Sequence, residues 1–340
     1  SWQDEIGGWA FEPDTPSGRG SGMQNGHWTG HRQTTVSQAF SLSGIGVHGG
    51  SQATVTIHPA APDFGIQFLR TDVEMADGAA IPARHDSVAA TELATVVGDP
   101  AKAAVSTIEH LMAALFGMGI DNALVEIDGP EVPVLDGSAA LFCDQIARGG
   151  ITLLARPRRF IEVLEPIRVQ QGAAFAELLP NDTGFRIETE IAFEDAVIGR
   201  QRITVDLTPS SFRRELARAR TFGFMRDVEK LWAHGFALGA SMDNCIVVND
   251  EGVMNREGLR FRDEFVRHKA LDAVGDLALA GLPLLATYRS HRGGHRLNAS
   301  VLRAMFADPT AYRVVDSAVG RRVPAGGAWG ADAAARSPAV

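Results

Sequence analysis

Three stretches of the chain alternate between apolar and polar residues with a period of two: QATVTI at 52–57, ALVEI at 123–127 and FRIETEI at 185–191. Successive side chains of a strand point to opposite faces, so each stretch predicts a strand with one buried face. Two other stretches lack proline and carry apolar residues on most sides. Residues 263–276, DEFVRHKALDAVGD, open on two acids. Acids suit the positive end of a helix, and good helix formers follow, so a largely buried helix is predicted there. A second apolar helix is predicted within STIEHLMAAL at 106–115. It falls between the first two strands, and the 263–276 helix follows the third. Each half thus reads as a small α+β unit, a few strands with one long apolar helix.

The ends read differently. Residues 1–33 are rich in Gly, Ser, Asp and Pro without periodicity, and residues 321–340 are dominated by Ala, Gly and Pro. Both are expected to be flexible tails. The run ARPRRF at 155–160 combines a proline with dense charge. It is expected to be a short linker between domain I at 34–154 and domain II at 160–310.

With 340 residues, 45% of them apolar and 21% charged, the chain has room for two ordinary cores. No apolar run approaches the length of a membrane span, and no signal-peptide pattern is read at the start. Cys143 and Cys245 are the only cysteines, each in apolar surroundings. They form no disulfide framework, and the expected compartment is the cytoplasm. A net charge of −9 argues against nucleic acid as a partner. Against that acidic background Arg289, His291, Arg292, His295 and Arg296 crowd into residues 288–297. Two readings stay open for this run, a solvated face and a receiver for a phosphorylated substrate.

Gly44-Ile45-Gly46-Val47-His48-Gly49 matches the dinucleotide fingerprint letter for letter. That fingerprint needs a helix opening at its last glycine. Here the alternating stretch 52–57 follows, so a tight turn between strands is expected and the nucleotide-cofactor reading is rejected.

The candidate chemistry lies on the two helices. His268, Asp272 and Asp276 fall at i, i+4 and i+8, stacked on one face of the 263–276 helix. A histidine on an apolar helix is ordinarily a hydrogen-bonded core residue. A buried carboxylate beside it, however, is costly unless something positive is present. The other helix sets Glu109 directly beside His110. Ser106-x-x-Glu109 also fits a capping box, which would account for Glu109 but not for His110. His110, His268 and Asp272, with Glu109 to spare, make a catalytic zinc set with one open position.

Further motifs make a specific resemblance. They are Gly44 to His48, Ser106 to Leu111, and GPEVPVLDGS at 129–138 in the first half. In the second half they are ARTFG at 219–223, the 263–276 helix, and GHRLN at 294–298. Over roughly residues 35–305 the chain resembles the UDP-3-O-acyl-N-acetylglucosamine deacetylases, zinc amidases of lipid A biosynthesis. The resemblance implies two similar domains, each a sheet with helices, the helices sandwiched between the two sheets. It implies an insert in each half, about 68–97 and 222–260, the second forming a passage for the substrate's acyl chain. It implies Zn2+ on His110, His268 and Asp272, Glu109 as general base, and His295 as general acid or electrostatic partner oriented by Asp276. Thr221 and Lys269 would meet the reacting and phosphorylated parts of a UDP-linked acyl amino sugar. Phe222 would join the substrate-binding set, and Phe193 would lie beneath the uracil. The implied reaction removes the N-acetyl group as acetate.

The chain departs from the family pattern at Ala299, where a second Asn is common, and at Ala240, where Gly is frequent. An added methyl at Ala240 would narrow the acyl passage. Two other readings remain beside this one: a zinc hydrolase acting on another N-acyl sugar or a peptide, and a binding protein with a structural metal. Iron is an alternative occupant of a His, His, Asp set. The expected state is a monomer.

Overall fold

The computed structural model describes residues 32–74 and 80–317. Of the two expected tails, residues 1–31 and 321–340 lie outside the described residues. Arg32 and Gln33, assigned to the first tail from composition, instead belong to a strand. Their side chains are held by the far end of the same half: Arg32 donates to the Leu154 carbonyl at 2.6 Å and Gln33 to the Pro157 carbonyl at 3.1 Å.

In the first half the elements are β1 (Arg32–Val36), β2 (Phe40–Ile45), β3 (Gln52–Pro59), β4 (Ile66–Arg70), β5 (Ile81–Pro82), β6 (Val88–Ala90), β7 (Val96–Asp99) and β8 (Ala103–Val105). Helix α1 (Glu109–Gly117), β9 (Ala123–Ile127), α2 (Ala140–Gly149) and β10 (Ile151–Pro157) complete it. Five strands form a mixed sheet in the order β2-β3-β9-β4-β5. The alternation at 52–57 is realised in β3, which buries Ala53, Val55 and Ile57 on one face. A separate three-stranded sheet, β6-β7-β8, grows out between β5 and α1. It reaches Val105, beyond the insert boundary expected near 97, while Phe68 lies in β4 of the main sheet.

The second half runs through β11 (Arg159–Val163), β12 (Ile167–Gln171), β13 (Ala174–Pro180), β14 (Phe185–Ala192), β15 (Arg200–Asp206) and a short α3 (Pro209–Ser211). Then come β16 (Phe222–Phe224), α4 (Met225–Ala233), β17 (Ile246–Asn249), β18 (Gly252–Val253), α5 (Glu264–Leu277), β19 (Leu284–His291), α6 (His295–Ala307) and β20 (Tyr312–Asp316). Seven strands form the main sheet, with β19 at its centre pairing β13, β14 and β11. This sheet extends past residue 310, because β20 pairs antiparallel with β11 up to Arg159↔Asp316.

The charged run at 155–160 is not an irregular linker. β10 continues to Pro157 and β11 starts at Arg159, so only Arg158 separates two strands. Arg156 and Arg159 sit at exposed positions within 3.4 Å of Asp63, which lets charge coexist with strand pairing. Arg158 itself is buried, its guanidinium against Asp121 at 2.9 Å and the Gly119 carbonyl at 3.0 Å. The chain changes sheets around a fixed ion pair.

The helices lie between the two main sheets, as the resemblance implies. Helix α5 packs on α1 and on β14 and β15, and Phe116 of α1 meets Phe185 of β14 edge-on at 5.9 Å. Buried residues of both sheets, α1 and α5 form one continuous core. The helix crossing depends on Gly275. A Cβ placed there would lie 1.9 Å from the Glu109 carbonyl oxygen, so the backbones can approach only without one. Gly275→Ala is therefore expected to cost about 1–3 kcal/mol by overpacking, visible as a lower urea midpoint.

Among the described residues no helix is long and apolar enough to cross a membrane.

Candidate active site

Helix α1 enters the site at its first residues. The chain turns into it through Thr107, whose φ is +58°, and Ile108 occupies the cap position without a side-chain bond. The capping box allowed by the sequence is absent. Ser106 donates its hydroxyl to the Pro130 carbonyl at 3.1 Å, and Glu109 turns the other way, accepting the Thr95 amide at 3.1 Å. Its second carboxylate oxygen lies 3.7 Å from Nε2 of His295. Glu109 is buried, and that burial, only partly offset by His295 and His110, raises its pKa above the ordinary carboxylate value.

His110 and, from α5, His268 and Asp272 converge within 4.8 Å of one another. His268 donates Nδ1–H to the Ala219 carbonyl at 2.9 Å. A carbonyl can only accept, so Nδ1 carries its proton there and Nε2 is the nitrogen that faces inward. Oδ1 of Asp272 lies 3.5 Å from His110 Nε2 and 3.3 Å from His268 Nε2, yet it is buried with no hydrogen-bond partner. Ligands about 2.0–2.1 Å from a tetrahedral zinc stand about 3.3–3.4 Å apart. Both imidazoles approach Asp272 to about that spacing without a hydrogen bond to Oδ1, and all three ligand atoms lie within 4.8 Å, an arrangement that suits a shared cation. Burial opposes ionisation of Asp272, but His268 and His110 outweigh it and hold the carboxyl well below its ordinary value.

Asp276 lies one turn further along α5 and stands apart from these donors. Its Oδ2 accepts from His295 Nδ1 and Asn298 Nδ2, each at 2.8 Å, and its Oδ1 accepts the Thr95 hydroxyl at 2.6 Å. Asn298 is fixed in turn by the Tyr288 hydroxyl. His295 opens α6, and burial alone would favour its neutral form. Asp276 and then Glu109 outweigh that effect, and its pKa is pushed up to about 10.

A pocket of about 360 Å³ joins these groups to Thr221, Lys269, Phe193 and Phe222. The Thr221 hydroxyl has no protein partner among the described residues, while its backbone is held by Gly137 and Ile246 at 2.8 Å. The Lys269 ammonium stands 5.8 Å over the Phe222 ring and has no ion pair among the described residues. Phe222 also packs edge-on against Phe265 at 4.9 Å, and Phe193 lies 6.0 Å from Phe222. Leu93, Val228, Leu231, Ala237 and Ala240 give the pocket its apolar wall. Ala299 is buried on α6 and does not line it. A smaller cavity of about 90 Å³ at the other end of α1 includes Gln33, Asp121, Asn122 and Arg158, whose polar groups are bonded to protein partners.

The basic run at 288–297 does not act as one cluster. Arg289 is paired with Glu188 at 2.7 Å and Glu177 at 3.1 Å, and His291 with Glu190 at 2.7 Å. His295 turns inward to the site, leaving only Arg292 and Arg296 without an anionic partner among the described residues. The glycine fingerprint is a hairpin turn from β2 to β3, and its amides serve an internal anion. His48 and Gly49 donate to Glu131 at 3.0 and 2.8 Å, and Thr107 adds its hydroxyl at 2.8 Å. A Cβ on Gly46 would stand 2.2 Å from that carboxylate, which fills the space a phosphate would need.

Sequence reasoning overlooked Thr95, Tyr288 and His48. His48 lines the pocket, and its Nδ1 is buried without a partner. Burial lowers its pKa, with His295 adding to the effect against Glu131. No spacing or periodicity marks any of the three.

A family model described as UDP-3-O-acyl N-acetylglycosamine deacetylase matches residues 33–307. Curated proteins named UDP-3-O-acyl-N-acetylglucosamine deacetylase from Brucella ovis, Brucella canis and Brucella melitensis biotype 2 are each 49% identical to this chain over 286 residues. The match spans 84% of this chain and 99% of each relative. The family match thus makes this chain an enzyme, a deacetylase. More narrowly, the chain belongs to the UDP-3-O-acyl-N-acetylglucosamine deacetylase family.

Proposed function

We propose that this protein hydrolyses the N-acetyl group of UDP-3-O-acyl-N-acetylglucosamine, releasing acetate, as a zinc-dependent step of lipid A biosynthesis. The observation that carries the metal is the buried, unpartnered Oδ1 of Asp272 facing His110 and His268. His110, His268 and Asp272 would hold the zinc, which would supply Lewis acidity to a water and to the amide carbonyl.

The remaining work belongs to side chains. Glu109 takes the proton of the attacking water; its raised pKa brings it nearer the working pH of a general base. His295 is cationic at neutral pH and faces Glu109 across the site. It stabilises the charge of the tetrahedral state and stands ready to protonate the leaving amine. Asp276 holds its Nδ1 proton and so presents Nε2 to the substrate. The free Thr221 hydroxyl is a donor for the oxyanion. Lys269 offers an uncommitted charge to the diphosphate, Phe222 and Phe193 offer faces to the nucleotide sugar, and the apolar wall receives the acyl chain. We place the enzyme in the cytoplasm as a monomer; its two unpaired, buried thiols suit a reducing compartment.

The test is acetate release from the UDP-linked acyl sugar, with and without a chelator. Release that stops on chelation and returns with zinc is the expected result; release that ignores the chelator would remove the metal from the reading.

A further inference from the structure

We infer that Thr95 is a positioning residue for this reaction, joining the two carboxylates, Glu109 and Asp276, between which His295 sits. The inference rests on the roles proposed above for those groups. Thr95 is 1% exposed and lies just before β7, outside both helices that carry the chemistry. Its amide donates to Oε2 of Glu109 at 3.1 Å, and its hydroxyl donates to Oδ1 of Asp276 at 2.6 Å. Its carbonyl accepts the amide of Ile108, at the entrance to α1, at 3.4 Å. Every polar group of one residue is thus committed to the catalytic helices.

The geometry selects which oxygens remain. With Oε2 of Glu109 held by Thr95, the oxygen that faces His295 is Oε1. With Oδ1 of Asp276 held by Thr95, the oxygen left for His295 Nδ1 and Asn298 is Oδ2. Rotation of either carboxylate about its last bond breaks a buried hydrogen bond, which is costly where no water replaces it. A buried threonine that served packing alone would satisfy its hydroxyl on its own neighbouring backbone. Here the acceptor is 181 residues away.

The experiment compares Thr95→Val, which removes the hydroxyl at nearly constant volume and leaves the backbone bond to Glu109, with Thr95→Ser, which keeps the hydroxyl. A misplaced supporting group in a metal enzyme typically costs about 10–100-fold. Thr95→Val should lower kcat by that factor with KM and bound zinc per chain unchanged, and Thr95→Ser should restore kcat to within about threefold. In an Asp276→Ala background the valine should cost less than about twofold, since the group it serves is gone. If valine prevents folding, Thr95→Ala removes the hydroxyl without bulk and takes its place. Wild-type kcat in Thr95→Val, no recovery in Thr95→Ser, a fully additive double variant, or zinc loss parallel to the kcat loss would each overturn the inference. Glu109→Gln and Asp276→Ala are measured alongside. If both are inactive while Thr95→Val is not, Thr95 alone is misassigned; if both are fully active, the roles proposed for them fall and the inference with them.

Discussion

Asp272→Ala is expected to yield folded protein that retains almost no zinc and releases almost no acetate. Its Oδ1 is the point toward which both imidazoles turn, and that oxygen has no hydrogen-bond partner among the described residues. Two imidazoles alone do not fix a tetrahedral site, so affinity falls with the third ligand. A Lewis-acidic metal would lower the barrier by several kcal/mol, and about 1.4 kcal/mol is tenfold in rate. A loss on the order of a thousandfold or more should follow. Metal content by elemental analysis and the unfolding midpoint, read beside activity, separate loss of the ion from loss of the fold. Full zinc occupancy in this variant would show that the donor set has been misread.

Glu109→Gln should behave differently: zinc stays and kcat falls about 10²–10⁴-fold, the usual worth of general acid–base catalysis. The pH profile carries the sign. As the proposed base Glu109 has to be ionised, so wild-type kcat/KM should rise with pH through a value above the ordinary carboxylate range. As the proposed acid His295 has to be protonated, so activity should fall again as pH climbs toward its pKa of about 10. A bound divalent cation draws both limbs toward lower pH. Glu109→Gln should erase the rising limb and His295→Ala the falling one. A wild-type profile flat from about pH 5 to 9, the range spanning imidazole titration, is incompatible with this division.

What the sequence made legible was local. The strands at 52–57, 123–127 and 185–191 and the helix at 263–276 follow from periodicity and the absence of breakers, and they bring His268, Asp272 and Asp276 into line. What it concealed depends on contacts between distant segments. The capping box was plausible because spacing says nothing about where Glu109 points once Thr95 offers its amide. The basic run lost its apparent unity to Glu177, Glu188 and Glu190 on neighbouring strands, about a hundred residues earlier. The run at 155–160 resembled a linker because charge density outweighed strand pairing that only the sheet edges reveal. Gly275 looked like an ordinary helix residue until the second helix crossed it.

The donors come from both halves of the chain: His110 from α1, and His268 and Asp272 from α5. An ion held there acts as a clasp between two otherwise separately built sheets. Its binding energy adds to the energy that docks them, because a ligand that binds only the assembled state stabilises that state. Severing the chain near Arg158 would leave neither fragment with a complete donor set. Supplying zinc to the two fragments together should favour their reassociation, adding to the apolar core that the halves share.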